Sequence, residues 1–249
     1  MEIIAHRGAS YDAPENTLAA VNLAWQQGAD AVEVDVHLSR DGRVVVIHDE
    51  NTRKTAGLNQ KVSNQTWADL QKLDVGRWKG PSWRGECIPD LDQILATVPL
   101  GKRLFIEVKC GEPFIDAAAR SLQNRNGKQV VVIGFSLETM KRLKSAFPDL
   151  EVCWIVEFKR RLPGHRWSPA PARAIEQARH VGLDGLDVGA NGPLTPDFVQ
   201  NANAAGLRVY VWTVDSLAKA KKLRDAGIDG ITTNKPGWMR EQLNIGPER

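Results

Sequence analysis

Three carboxylates, two histidines and two basic side chains fall at spacings that suit one kind of chemistry. Glu33 and Asp35 stand two apart in Glu33-Val34-Asp35-Val36-His37-Leu38, and Glu107 stands two before Lys109 in Ile106-Glu107-Val108-Lys109. Carboxylates gathered in a small volume repel one another and push at least one pKa upward. A hard divalent cation, Mg2+ or Ca2+ rather than zinc, removes that conflict. A salt-bridge network with Arg7 and Lys109 is the alternative use of the same charges. His6 and His48 are the acid–base candidates, since imidazole titrates near neutrality without help. Arg7 offers a planar fork and Lys109 a point charge to an anionic group. Together these parts suit phosphate-ester chemistry: positive groups neutralise charge growing on phosphorus-bound oxygens while the histidines move protons.

Such residues act together only if their elements converge. Short apolar runs at 3–6, 31–36, 104–108, 129–134, 151–156, 185–188, 208–214 and 229–233 alternate with amphipathic stretches at 15–27, 114–125, 137–147, 171–181, 196–205, 216–226 and 236–243. Two more amphipathic pieces, 66–73 and 91–98, precede the third run. Runs that are apolar throughout suit parallel strands covered on both faces. One joint recurs where helix gives way to strand, led by Gly28, Gly182, Gly206 and Gly227. Glycine there supplies the left-handed position that ends a helix. Eight strands in 249 residues predict a single α/β domain, a (β/α)8 TIM barrel. A doubly wound sheet is disfavoured, because no glycine-rich fingerprint follows the first strand. Barrel chemistry gathers at the C-terminal strand ends. Those ends carry His6, Arg7, Glu33, Asp35, Glu107 and Lys109, and later Phe135, Ser136, Asp187, Trp212 and Asn234.

Asp41-Gly42 between two apolar runs predicts a hairpin. With those two as the loop, Arg40 faces Arg43, Val36 faces Ile47 and Asp35 faces His48, which brings His48 beside the carboxylates. His37 is set aside as falling on the face opposite Asp35. Glu15 either complements a helix dipole or orients Arg7. Trp212 is expected to wall the pocket, whereas Trp78 and Trp83 fall in a Gly/Pro-rich stretch, 76–85, expected near the mouth. His165, His180 and the run Lys159-Arg160-Arg161 are expected to be solvated.

The formal net charge is +3, and the short run Lys159-Arg160-Arg161 does not concentrate it, which argues against a nucleic-acid or anionic-membrane partner. Three widely spaced cysteines, Cys87, Cys110 and Cys153, fit neither a disulfide framework nor a zinc ribbon. No stretch reaches transmembrane length and no signal peptide opens the chain, so the expected location is cytoplasmic, without a stable membrane anchor.

Taken in order, His6-Arg7-Gly8, Pro14-Glu15-Asn16-Thr17, Glu33-Val34-Asp35, Asp41-Gly42, Ile47-His48-Asp49, Ile106-Glu107-Val108-Lys109 and Val211-Trp212-Thr213-Val214 resemble the motifs of glycerophosphodiester phosphodiesterases. The resemblance spans nearly the whole chain. It implies a phospholipase C-like phosphodiesterase barrel that hydrolyses small glycerophosphodiesters to glycerol 3-phosphate and an alcohol. His6 and His48 would be the acid–base pair, Glu33, Asp35 and Glu107 the metal ligands, and Arg7 and Lys109 the phosphate contacts. The nucleophile would be a water or the substrate's own glycerol 2-hydroxyl. The family's insertion beside the mouth would correspond to 51–90. Two departures stand out: Thr233-Asn234-Lys235-Pro236 where many relatives carry Thr-Asp-x-Pro, and Gly134-Phe135-Ser136 where Ser-Phe is usual. A lysophospholipid substrate and a non-catalytic phosphate-binding barrel are the rival functions.

Overall fold

The computed structural model describes residues 1–123, 125–160, 162 and 166–245. Among them the strands are β1 (Glu2–His6), β2 (Ala31–Leu38), β3 (Val44–Val46), β4 (Arg103–Val108), β5 (Val130–Gly134), β6 (Glu151–Val156), β7 (Gly185–Gly189), β8 (Arg208–Trp212) and β9 (Gly230–Thr233). The helices are α1 (Leu18–Gln26), α2 (Arg53–Ala56), α3 (Trp67–Leu70), α4 (Leu91–Thr97), α5 (Pro113–Leu122), α6 (Leu137–Ala146), α7 (Pro171–His180), α8 (Pro196–Ala204), α9 (Leu217–Asp225) and α10 (Pro236–Gln242). All strands but β3 are parallel, and β1 pairs with both β2 and β9, so the sheet closes into an eight-stranded barrel. The expected (β/α)8 architecture is therefore present.

Local chemistry sets the joints. Gly28, Gly182, Gly206 and Gly227 all hold φ between 75° and 85°, the left-handed turn that releases each helix into the next strand. Helices α5, α7, α8 and α10 open on proline, whose missing N–H would have had no intrahelical partner there. Two apolar layers result. One lies between strands and helices; the other fills the barrel with side chains such as Ile4, Phe105, Ile133, Ile155 and Tyr210. Each fully buried side chain of this kind contributes roughly 1.5–3 kcal/mol. The N-terminal end of the barrel is closed by Arg103, which donates to Glu2 at 3.0 Å and the Tyr210 hydroxyl at 3.1 Å and pairs with Glu151 at 2.5 Å. Chemistry is left to the other end.

The hairpin departs from expectation by one residue. Leu38 faces Val44 and Val36 faces Val46, so Asp35 lies opposite Ile47, whose N–H donates to the Asp35 carbonyl at 3.0 Å. Three residues, Arg40-Asp41-Gly42, make the turn, with Gly42 at φ 77°. Ser39 selects it: its N–H donates to the Arg43 carbonyl, while its hydroxyl donates to Asp41 and accepts from the Arg43 N–H. A one-residue slip reverses the facing of the paired side chains. His48 consequently reaches the mouth from a bend beyond β3, not as a ladder partner of Asp35.

Segment 51–90 carries α2, α3 and two 3-10 turns over its own apolar cluster, in which Val45 and Ile47 of the hairpin meet Val62, Leu70, Val75 and Ile88. Lys54 reaches back to both oxygens of Glu15 at 2.8 Å, and Lys79 donates to the Ser10 carbonyl at 2.7 Å. These contacts tie the segment to the loop that follows β1.

Candidate active site

Strand β1 ends on His6, and the backbone then turns sharply through Arg7 at φ 55° and Gly8 at φ 80°. A Cβ on Gly8 would sit 2.5 Å from the Ala20 backbone, so this turn admits only glycine. The turn aims the Arg7 N–H at Glu33 Oε2, 2.9 Å away. Asn16, also left-handed at φ 59°, clasps Asp35 twice: its Nδ2 donates to Oδ2 at 2.9 Å and its Oδ1 accepts from the Asp35 N–H at 3.1 Å. That conformation stops α1 from starting at Glu15, where the sequence placed it; Thr17 caps the helix instead, accepting from the Ala20 N–H. Glu15 accepts from Arg7 Nη1 at 2.9 Å, the orienting contact of its two expected roles.

Glu33, Asp35 and Glu107 each bring one oxygen within 4.8 Å of the others. Arg7 Nε lies 3.1 Å from Asp35, Lys109 Nζ lies 3.0 Å from it, and Lys109 also contacts Glu107. Burial pushes the Asp35 carboxyl up, but Lys109 and Arg7 outweigh it and hold it at about 2. Burial pushes Glu107 up to about 7, with the Asp35 charge adding and Lys109 opposing. Burial, then Asp35 and Glu107, push Glu33 well above the carboxylate range. With all three ionised, three acids against two cations leave one negative charge unmet, and without a cation the raised Glu33 and Glu107 meet it by holding protons. Glu33 Oε1 and Asp35 Oδ1 are buried without an aligned hydrogen-bond donor; the Lys109 ammonium is close to Oδ1 but off line. Unpaired hard oxygens facing one another fit a divalent cation. The salt bridges and the candidate cation site thus use the same groups.

Both candidate histidines have their Nδ1 fixed by an oxygen. His6 Nδ1 donates to Asn234 Oδ1 at 2.7 Å. The Asn234 amide is itself oriented, because its Nδ2 donates to Asp215 Oδ2 at 2.6 Å. His6 therefore carries its proton on Nδ1 and keeps a lone pair on Nε2. Burial and the nearby Arg7 lower its pKa, partly offset by the Asn234 bond. His48 Nδ1 donates to Asp49 Oδ1 at 2.6 Å. His37 corrects an expectation: residues two apart on a strand share a face. It lies on the Asp35 side of β2, and its Nε2 donates to the His48 carbonyl at 3.0 Å.

A family model described as glycerophosphoryl diester phosphodiesterase matches residues 6–238. The chain belongs to this family. It is 33% identical over 246 residues to the Bacillus subtilis protein YhdW, covering 96% of each chain. It is 31% identical to a glycerophosphodiester phosphodiesterase of Caldanaerobacter subterraneus, covering 98% of each. Among solved structures, a phosphodiesterase of Oleispira antarctica in complex with the product sn-glycerol-3-phosphate matches with a TM-score of 0.86 and 28% identity, covering 98% of this chain and 97% of the other. The chain is thus a phosphoric diester hydrolase of a family that generally depends on a divalent metal.

In this glycerophosphodiester phosphodiesterase the mouth brings together His6, Arg7, Glu33, Asp35, Glu107 and Lys109, with His48 beside them. Trp212 stands edge-on to the half-exposed Phe135, ring centres 5.9 Å apart, and the Phe135 ring lies 5.9 Å from Lys109 Nζ. Trp78 is exposed and lies beside Lys79 in the segment anchored to the mouth. Asn16 enters the sequence reading only as part of Pro14-Glu15-Asn16-Thr17, with no role, and Asp215 not at all; the left-handed turn that aims Asn16 has no local signature beyond an asparagine after Pro-Glu. The broad grooves of about 1000 and 1090 Å³ run elsewhere on the surface and are lined by none of these residues. His165 and Arg161 lie outside the described residues.

Proposed function

We propose that this chain hydrolyses small glycerophosphodiesters to glycerol 3-phosphate and an alcohol. Glu33, Asp35 and Glu107 would hold one divalent cation, Mg2+ or Ca2+, which when bound neutralises charge on the phosphate oxygens. The observation that carries the reading is the set of buried, facing carboxylate oxygens flanked by two histidines whose Nδ1 protons are held by Asn234 and Asp49.

Arg7 and Lys109 would bind the phosphate, the first as a fork oriented by Glu15, the second as a point charge beside Phe135. Three carboxylates, a divalent ion and two basic side chains leave about one positive charge, matched to a diester carrying about one negative charge. With Nδ1 of His6 and His48 held by Asn234 and Asp49, Nε2 is the atom on each ring left to move a proton. One removes the nucleophile's proton and the other protonates the leaving alcohol, so the bond that breaks joins phosphorus to the head-group oxygen. Trp212 would wall the pocket.

With glycerophosphocholine as substrate, the expected products are glycerol 3-phosphate and choline. Replacing His6 or His48 with Ala should lower turnover about 10²–10⁴-fold in a folded protein. Near-normal turnover in either variant, or release of phosphocholine and glycerol, would overturn the assignment. A second reading, a lysophospholipid substrate, draws on exposed Tyr11 and Trp238, whose rings lie 4.2 and 5.9 Å from Lys235 Nζ beside Asn234. A long-chain lysophosphatidylcholine in the same assay separates the two. No helix among the described residues is long and apolar enough to cross a membrane.

A further inference from the structure

Inside the barrel, β7 carries a buried acid that the chemistry above does not use. Asp187 is 2% exposed and faces the interior, since Leu186 and Val188 on either side pack in the outer layer. It is close enough to feel the charge of Glu107. Among the described residues its Oδ1 has no hydrogen-bond partner, and neither does the buried Nε1 of Trp212. Trp212 lies on the adjoining strand, two residues beyond Tyr210, the register partner of Asp187. An unmet buried donor or acceptor costs about 1–3 kcal/mol, so such a pair on neighbouring strands asks for a partner.

The backbone around Asp187 is open on one side only. At Gly185, toward the N-terminal end, an added Cβ would meet Cys153 Sγ at 2.8 Å. At Gly189, toward the mouth, it would meet only Glu157 Cγ at 3.9 Å. Gly189 and Trp212 also line a cavity of about 230 Å³ at the ends of β6, β7 and β8; Asp187 is not part of its lining and sits two residues below Gly189 on β7.

We propose that Asp187 and the Trp212 indole form a floor subsite that takes the terminal hydroxyl of the substrate's glycerol half, an inference that rests on the function proposed above. A hydroxyl answers both groups, accepting from the indole N–H and donating to the carboxylate oxygen, and would displace a water that does the same. The closed barrel admits only a small group, and the terminal hydroxymethyl is the part of glycerol farthest from phosphorus. The head group is left toward solvent.

The test compares glycerophosphocholine with 2-hydroxyethyl phosphocholine, which keeps the hydroxyl nearest the phosphate and lacks the terminal one. Calorimetry on glycerol 3-phosphate and 2-hydroxyethyl phosphate reads binding separately. Wild type should favour the glycerol member of each pair about tenfold or more, the scale of one hydrogen bond to a charged group. Asp187→Ala should bring both ratios to about one, while Asp187→Asn, which can still accept, should hold them within about threefold of wild type. Gly189→Val leaves both polar groups in place and should collapse the ratios by filling the approach; it decides the matter if Asp187→Ala fails to fold. Ratios near one in wild type, or unchanged in the folded Asp187→Ala or Gly189→Val protein, overturn the subsite. A binding preference without glycerol 3-phosphate release would sink the proposed function and leave the floor standing; release without preference would do the reverse.

Discussion

Stripped of divalent cation, the protein should lose stability as pH rises through neutrality, and Glu107 sets how far. Burial and the Asp35 charge lift its carboxyl from 4.5 to about 7 against the pull of Lys109. A folded pKa above the unfolded one means the native state holds that proton more tightly. The resulting stabilisation is complete below 4.5 and is lost as pH climbs through about 7. At ~1.4 kcal/mol per unit, the shift is worth at most about 3.5 kcal/mol. For a chain of this size that corresponds to roughly 7–14 °C in melting temperature. Glu33, also raised, acts in the same sense. Asp35 does not interfere: held at about 2, its contribution is complete above 3.8 and is lost only as pH falls through 2. Thermal melts in chelator between pH 5.5 and 8.5, on wild type and Glu107→Gln, isolate the effect. Wild type should lose several degrees more than the variant over this range. Saturating Mg2+ should flatten the wild-type curve by taking the place of the proton, adding about 2.7 kcal/mol at a hundredfold excess over Kd. Parallel melting curves for the two proteins in chelator, together with no response to Mg2+, would mean that Glu107 neither holds the extra proton nor takes part in a cation site.

Other perturbations test single contacts. Asn234→Ala removes the bond that raises the His6 pKa, so the limb of the pH–rate profile that reports His6 should move down; an unmoved profile would mean His6 does not titrate in the reaction. Glu15→Gln loosens Arg7 and should raise KM several-fold with a smaller change in kcat, measured by steady-state kinetics. Gly8→Ala forces a Cβ to 2.5 Å from the Ala20 backbone at φ 80° and should destabilise the fold by about 2 kcal/mol or more in urea melts.

The barrel was legible because its signals are local and repeated: apolar runs, glycine-ended helices and polar residues at strand ends. Glu33, Asp35, Glu107 and Lys109 could be placed at one mouth by strand position alone. The hairpin slipped because Asp41-Gly42 serves a two- or a three-residue loop equally well, and the Ser39 side chain makes the choice. Asn16 and Asp215 stayed hidden because each acts across the fold, on Asp35 19 residues away and on Asn234 19 residues away. Asp187 was visible as a strand-end acid, but its unmet oxygen and the open approach at Gly189 belong to the assembled barrel.

In the function proposed above, three carboxylates hold a cation needed to cleave a glycerophosphodiester. The most direct test is glycerol 3-phosphate release from glycerophosphocholine by chelated enzyme, before and after Mg2+ or Ca2+ is restored, in wild type and in Glu33→Gln. Wild type should be nearly inactive in chelator and recover with added cation, and the variant should need far more cation for any recovery. Full activity in chelator, or a Glu33→Gln enzyme with the wild-type cation requirement, would mean that these carboxylates hold no catalytic cation.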